Sequence, residues 1–134
     1  MLVRIDFSSD EAFYVQLKNQ IIMGIATSEI REGESLPSVR DLAEDIGINM
    51  HTVNKAYSIL KQEGYLKLDR RKGAVVCLDA DRLRTIEEIR FLLKGTVAKA
   101  LCRDVSKAEL HELLDEVFEE FNGIRKASGA DSIQ

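Results

Sequence analysis

Two short capped segments, separated by three residues, constrain this chain more than any other feature. Ser38 stands where a helix N-cap is needed, with Asp41 three positions on, and Val39, Leu42, Ala43 and Ile46 recur on one face until Gly47. Asn49 is a second cap. After it Val53, Ala56, Tyr57 and Leu60 follow at i, i+3, i+4 and i+7 until Gly64. The linker is only Gly47-Ile48-Asn49, so the two helices must cross sharply on a tight turn. That spacing predicts a helix-turn-helix.

The flanking segments extend the pattern. Upstream, Ser8 and Glu11 have capping-box spacing, and Tyr14, Leu17, Ile21 and Ile25 carry a helix to about Ala26. Downstream, Tyr65-Leu66-Lys67-Leu68 and Ala74-Val75-Val76-Cys77-Leu78 read as strands around the basic turn Asp69-Arg70-Arg71-Lys72-Gly73. A hairpin placed directly after the second helix of the pair reads as a wing. From residue 80 the period is helical again. Leu83, Ile86, Ile89, Leu93, Val97 and Ala100 share one face, and Ser106 with Glu109 opens a last helix. Its stripe of Leu110, Leu113, Leu114, Val117, Phe118 and Phe121 is wider than one partner helix would cover.

The expected fold is therefore mainly α with a small β-hairpin wing: a winged helix-turn-helix over 1–78, then a two-helix dimerisation segment over 79–122. The small, polar tail 123–134 is expected to be disordered. A 78-residue winged domain cannot satisfy both late stripes, so Leu93, Val97, Leu110, Leu113, Leu114, Val117, Phe118 and Phe121 are expected at a homodimer interface. A monomer with both helices folded over the first helix is the alternative.

A net charge of −4 looks unfavourable for a nucleic-acid partner, but its distribution matters more than its total. Residues 38–78 hold seven Lys/Arg against five Asp/Glu, concentrated between Lys55 and Lys72. Screening over about 8 Å makes the local field decisive for a phosphate contact. The outward stripe of the second helix of the pair is His51, Asn54, Lys55 and Ser58, with Met50 and Lys61 beside it. Asn54 can offer its carboxamide to adenine, while His51, Thr52, Lys55 and Ser58 can reach base edges or phosphates. A solvated polar face explains that stripe alone; the caps, the turn and the basic hairpin together favour double-stranded DNA. A winged helix kept as a protein-interaction adaptor, without DNA specificity, is the rival, although such modules usually lose the basic residues retained here.

Catalytic readings find little support. His51 and His111 lie on different elements, and Cys77 and Cys102 lack metal-ligand spacing. Nor is there a nucleophile–base pair or a phosphate-cradling glycine loop. No enzyme activity, metal or cofactor is expected, and an effector ligand is left open. Two unpaired cysteines, no apolar run of membrane-spanning length and no signal-peptide pattern at the N-terminus point to the cytoplasm and away from the membrane.

From Phe13 to Val76 the chain resembles the winged-helix domain of the GntR family of bacterial repressors. Leu36-Pro37-Ser38-Val39-Arg40-Asp41-Leu42-Ala43 carries the resemblance most specifically, followed by Thr52-Val53-Asn54-Lys55-Ala56-Tyr57 and Glu63-Gly64. The resemblance implies DNA contacts from Arg40, from the positions Asn49, Met50, His51, Thr52 and Asn54, and from the wing glycine, Gly73. With Ser38, Lys55, Ser58, Arg70, Arg71 and Lys72 these are the candidate DNA-binding residues. Many members carry arginines where Met50 and Asn54 stand, so their guanine contacts do not transfer, and a different operator is implied. Only some 55 residues follow the winged domain, which resembles the short YtrA-like branch, where a helical pair makes the dimer. By the same analogy the expected role is a homodimeric repressor on an inverted repeat near a transporter operon.

Overall fold

The computed structural model describes residues 3–78, 81–131 and 133. Its elements run α1 (Phe13–Ala26), α2 (Val39–Ile46), α3 (Met50–Gln62), β1 (Leu66–Asp69), β2 (Gly73–Val76), α4 (Arg82–Cys102) and α5 (Lys107–Ala127). Mainly α with one hairpin, this is the expected architecture.

Local chemistry accounts for most boundaries. The Ser38 hydroxyl accepts from the Asp41 amide at 3.1 Å, and the Asn49 carboxamide oxygen accepts from the His51 amide at 2.7 Å. Gly47 closes α2 at φ +74°, in the left-handed region that a glycine enters without a side-chain penalty. Ser106 and Glu109 complete a capping box at the head of α5. The first helix departs from expectation. It begins at Phe13 behind Ala12, which offers no side-chain cap, and Ser8 instead donates to the Asp6 carboxylate. Buried Gln16 organises this entry from inside the helix. Its amide nitrogen donates to the carbonyls of Asp6 and Glu11, and its oxygen accepts from the Asp6 amide.

The core lies where α1, α3 and the hairpin meet. Leu17 and Ile21 of α1, Val53 and Leu60 of α3 and Val76 of β2 are fully buried, joined by Leu36, Leu42, Ala56 and Leu66. Each large side chain of that kind is worth about 1.5–3 kcal/mol by transfer from water. β1 and β2 pair antiparallel from Leu66↔Val76 to Asp69↔Gly73. The loop before α2 adds a short third rung on the other side of β2: Ser35 bridges Val75, Leu36 donates to the Ala74 carbonyl at 2.8 Å, and Val76 donates to Glu34 at 2.9 Å.

α4 and α5 differ in kind. Close packing between elements is concentrated among α1, α2, α3 and the hairpin, and neither late helix is laid along any of them. Each is 21 residues long, about 31 Å at 1.5 Å per residue, yet Ala100 is the sole buried side chain of the two among the described residues. Leu93 and Leu114 are each 53% exposed, Val97, Leu113, Val117 and Phe118 are exposed as well, and Leu110 and Phe121 are half-buried. α5 also runs five residues past Asn122, where the sequence reading begins a disordered tail. Described tail residues fold back on it: Ala130 donates to the Arg125 carbonyl at 2.8 Å, and Asn122 exchanges hydrogen bonds with the Ile133 backbone. The tail's small polar composition hides these contacts, because its partners are backbone groups.

Candidate nucleic-acid interface

Three elements converge on one face. The head of α2, the outer side of α3 and the inner side of the wing enclose a cleft of about 280 Å³, lined by Ser38, Asn54, Ser58, Lys61, Lys67, Lys72 and Gly73 among others. Its floor is the buried ring of Tyr57, whose hydroxyl donates to the Pro37 carbonyl at 2.8 Å. That bond ties α3 to the residue just before the α2 cap. Burial also pushes the Tyr57 hydroxyl far above the ordinary phenol range, so it remains a donor at any physiological pH.

Around the cleft the candidate residues fall into groups. Asn54 and Ser58 stand on the exposed face of α3 one turn apart, as the spacing predicts. Asn49, Met50 and His51 are exposed at the head of α3, and Thr52 is half-buried. The Asn49 oxygen is committed to its cap, as is the Ser38 hydroxyl, so each offers its remaining polar capacity and nearby backbone rather than a free side chain. Arg40, on the first turn of α2, is exposed and belongs to none of the ion pairs among the described residues.

The wing tip is built by Asp69, whose carboxylate accepts from the backbone amides of Arg71 at 2.8 Å and Lys72 at 3.0 Å. Those bonds hold its carboxyl below the usual range. The turn leaves Arg70, Arg71 and Lys72 exposed. Gly73 sits at φ +76° with nothing within 4 Å of where a Cβ would stand. The backbone conformation calls for glycine here, and the open space lets another backbone approach closely.

Lys55 differs from its neighbours. Its ammonium lies over the Tyr14 ring at 3.9 Å from the centroid, leaning on α1, and it does not line the cleft. Conversely, Lys61, which the spacing set beside the outward stripe, enters the cleft wall together with Lys67, to which only the basic run between Lys55 and Lys72 pointed. No group of three or more His, Cys, Asp or Glu residues is arranged to hold a metal ion among the described residues. No described helix is long and apolar enough to cross a membrane.

Comparison with known proteins agrees with this geometry. The model of the gntR family of bacterial regulatory proteins matches residues 13–76, which takes in everything from α1 to the end of the wing. The HTH-type transcriptional repressor YtrA of Bacillus subtilis is 31% identical over 130 residues, covering 93% of this chain and 98% of the relative. The solved structure of YtrA from Sulfolobus acidocaldarius, a GntR-family transcription factor, is 36% identical over 88% of this chain and 97% of its own, with a TM-score of 0.55. A transcriptional antiterminator from Listeria monocytogenes EGD-e superposes over 100% of this chain and 98% of its own, at TM-score 0.81 and 27% identity. A match through the whole winged helix, and a repressor relative aligned through α4 and α5 as well, place this chain in the gntR family of bacterial regulatory proteins, in its short YtrA-like branch, as a DNA-binding transcription regulator and not an enzyme.

Proposed function

We propose that the protein is a homodimeric cytoplasmic repressor that places two copies of this face on the half-sites of an inverted-repeat operator. One observation carries the reading: Asn54 and Ser58 of α3 share a cleft with Ser38 of α2 and with Lys72 and Gly73 of the wing. A recognition helix laid in the major groove brings its first turns to base edges, while the wing meets the flanking backbone. α3 presents Asn49, Met50, His51, Thr52 and Asn54 for the first task; Arg70, Arg71, Lys72 and Gly73 serve the second. Arg40 anchors the backbone or a base edge from the α2 side. Without an arginine at Met50 or Asn54, base reading shifts toward a carboxamide on adenine and apolar contact with thymine methyls. The apolar faces of α4 and α5 then pair with those of a second copy, setting the half-sites about one helical turn apart.

The test is a salt titration of the full chain on duplexes recovered by in-vitro selection and on random duplex. A linear log–log loss of affinity with salt, at about −0.9 per phosphate engaged, is expected on both. A flat response would favour the protein-docking adaptor instead.

Two substitutions separate the roles. Arg40→Ala should weaken operator binding by about 1–3 kcal/mol with the thermal transition unchanged. An unaltered affinity and salt slope would remove Arg40 from the interface. Asn54→Ala should lower affinity for the selected operator by about 1–3 kcal/mol and leave random duplex nearly untouched. Equal losses on the two would reassign Asn54 to a phosphate.

A further inference from the structure

The far end of α5 returns to the winged domain and is held there by two arginines. The Arg125 guanidinium donates from Nη1 to the Ala26 carbonyl at 2.9 Å and to the Ser28 hydroxyl at 3.0 Å, and from Nε to the Asp131 carbonyl at 2.7 Å. From the opposite side, Arg31 Nη2 donates to the Ser128 carbonyl at 2.5 Å. Ala26 is the last residue of α1, where unpaired carbonyls and the helix dipole favour a cation. Ser28 is held at φ +63°, a conformation costly for a residue with a side chain, and this aims its hydroxyl at Arg125. Charge-assisted bonds in a planar fork fix direction as well as distance.

We propose that Arg125 is a positioning residue that sets the angle between the dimerisation helices and the recognition helix, and through it the half-site spacing the protein accepts. The inference rests on the dimeric operator reading above. α1 packs directly on α3, so a clamp on the end of α1 reaches the DNA-reading helix through one rigid contact. Covalently, the helical pair leaves the winged domain once, after β2. Play at the α5 corner is therefore magnified along a helix about 31 Å long. Two recognition helices bind one operator together only if their separation matches the DNA, so the rigidity of this corner governs how steeply affinity falls with the wrong spacing.

The experiment uses the full chain and duplexes carrying the selected half-site as inverted repeats, with the centre-to-centre distance stepped one base pair at a time. The wild type is expected to favour one spacing by about tenfold or more over its neighbours, and Arg125→Ala to favour it by less than about threefold. Single-half-site affinity and the sedimentation coefficient should stay at wild-type values. Arg125→Lys, which keeps the charge but lacks the planar fork of donors, should fall between the two. Arg31→Ala loosens the same corner from the winged side and serves if Arg125→Ala proves monomeric or misfolded. A wild-type spacing profile in a folded, dimeric Arg125→Ala protein, or in Arg31→Ala when the first variant does not fold, would overturn the assignment. A wild type indifferent to spacing would overturn the dimeric operator reading, and this one with it.

Discussion

Leu114→Glu combined with Phe118→Glu is expected to turn the protein into a monomer by sedimentation while its winged domain keeps its fold. Both side chains lie on the exposed stripe of α5, 53% and 42% exposed, and neither belongs to the winged core. In the proposed dimer each copy would bury two large apolar groups there, worth about 1.5–3 kcal/mol apiece. The variant removes them and puts two carboxylates per copy into the same contact. At about 1.4 kcal/mol per factor of ten, the dimer should weaken by at least a thousandfold. Operator affinity should fall to that of a single half-site, with the salt slope roughly halved as one set of phosphate contacts is lost. A double mutant that stays dimeric with wild-type operator affinity would place the interface elsewhere, and the exposed face of α4 at Leu93 and Val97 would be the next to test.

Leu60→Ala should destabilise the winged domain by about 2–5 kcal/mol, a large share of the roughly 5–15 kcal/mol typical of a folded domain. Leu60 is 0% exposed, on the side of α3 that packs against α1 and runs into β1. Its carbonyl also accepts from the Tyr65 amide at 2.8 Å, where the chain leaves the helix for the wing. The cavity therefore opens at the junction of three elements, where collapse of any one is restrained by the others. Urea unfolding at fixed protein concentration would show it, since the proposed dimer would make the midpoint concentration-dependent. A loss below about 1 kcal/mol would mean that the junction relaxes to fill the space.

Features that depended on neighbours in sequence were legible from the residues alone. Ser38, Asn49 and Ser106 cap helices because a short polar side chain reaches an amide two or three residues away, whatever the rest of the fold does. The inward face of α3 followed from spacing, as Val53, Ala56, Tyr57 and Leu60 are all buried. What escaped was set across the fold. Ser8 has capping-box spacing with Glu11, yet Gln16 claims that segment with bonds to Asp6 that no local pattern announces. The helix that runs past Asn122 to Ala127 brings Arg125 to the Ala26 carbonyl, 99 positions away. Lys55 occupies the outward stripe of α3, but its side chain turns to Tyr14 on another helix. The family pattern and the basic turn singled out Asn54, Lys72 and Gly73, which the fold brings around one cleft, while the cleft wall made by Lys61 and Lys67 needed the wing to be folded against α3.

The rung that Ser35 makes with Val75 carries a consequence for how the wing can err. β2 is held by β1 on one side and by the loop before α2 on the other. An ordinary two-strand hairpin can slide by one residue, exchanging its inner and outer faces at the cost of a single ladder. Here such a slide would break the Leu36–Ala74 and Val76–Glu34 bonds as well, and would carry buried Val76 out toward solvent. The hairpin thus has one register, and its basic tip projects a fixed distance from the α2 cap. Lengthening the Asp69–Gly73 turn by one residue would extend the reach of the tip without freeing the strands to compensate.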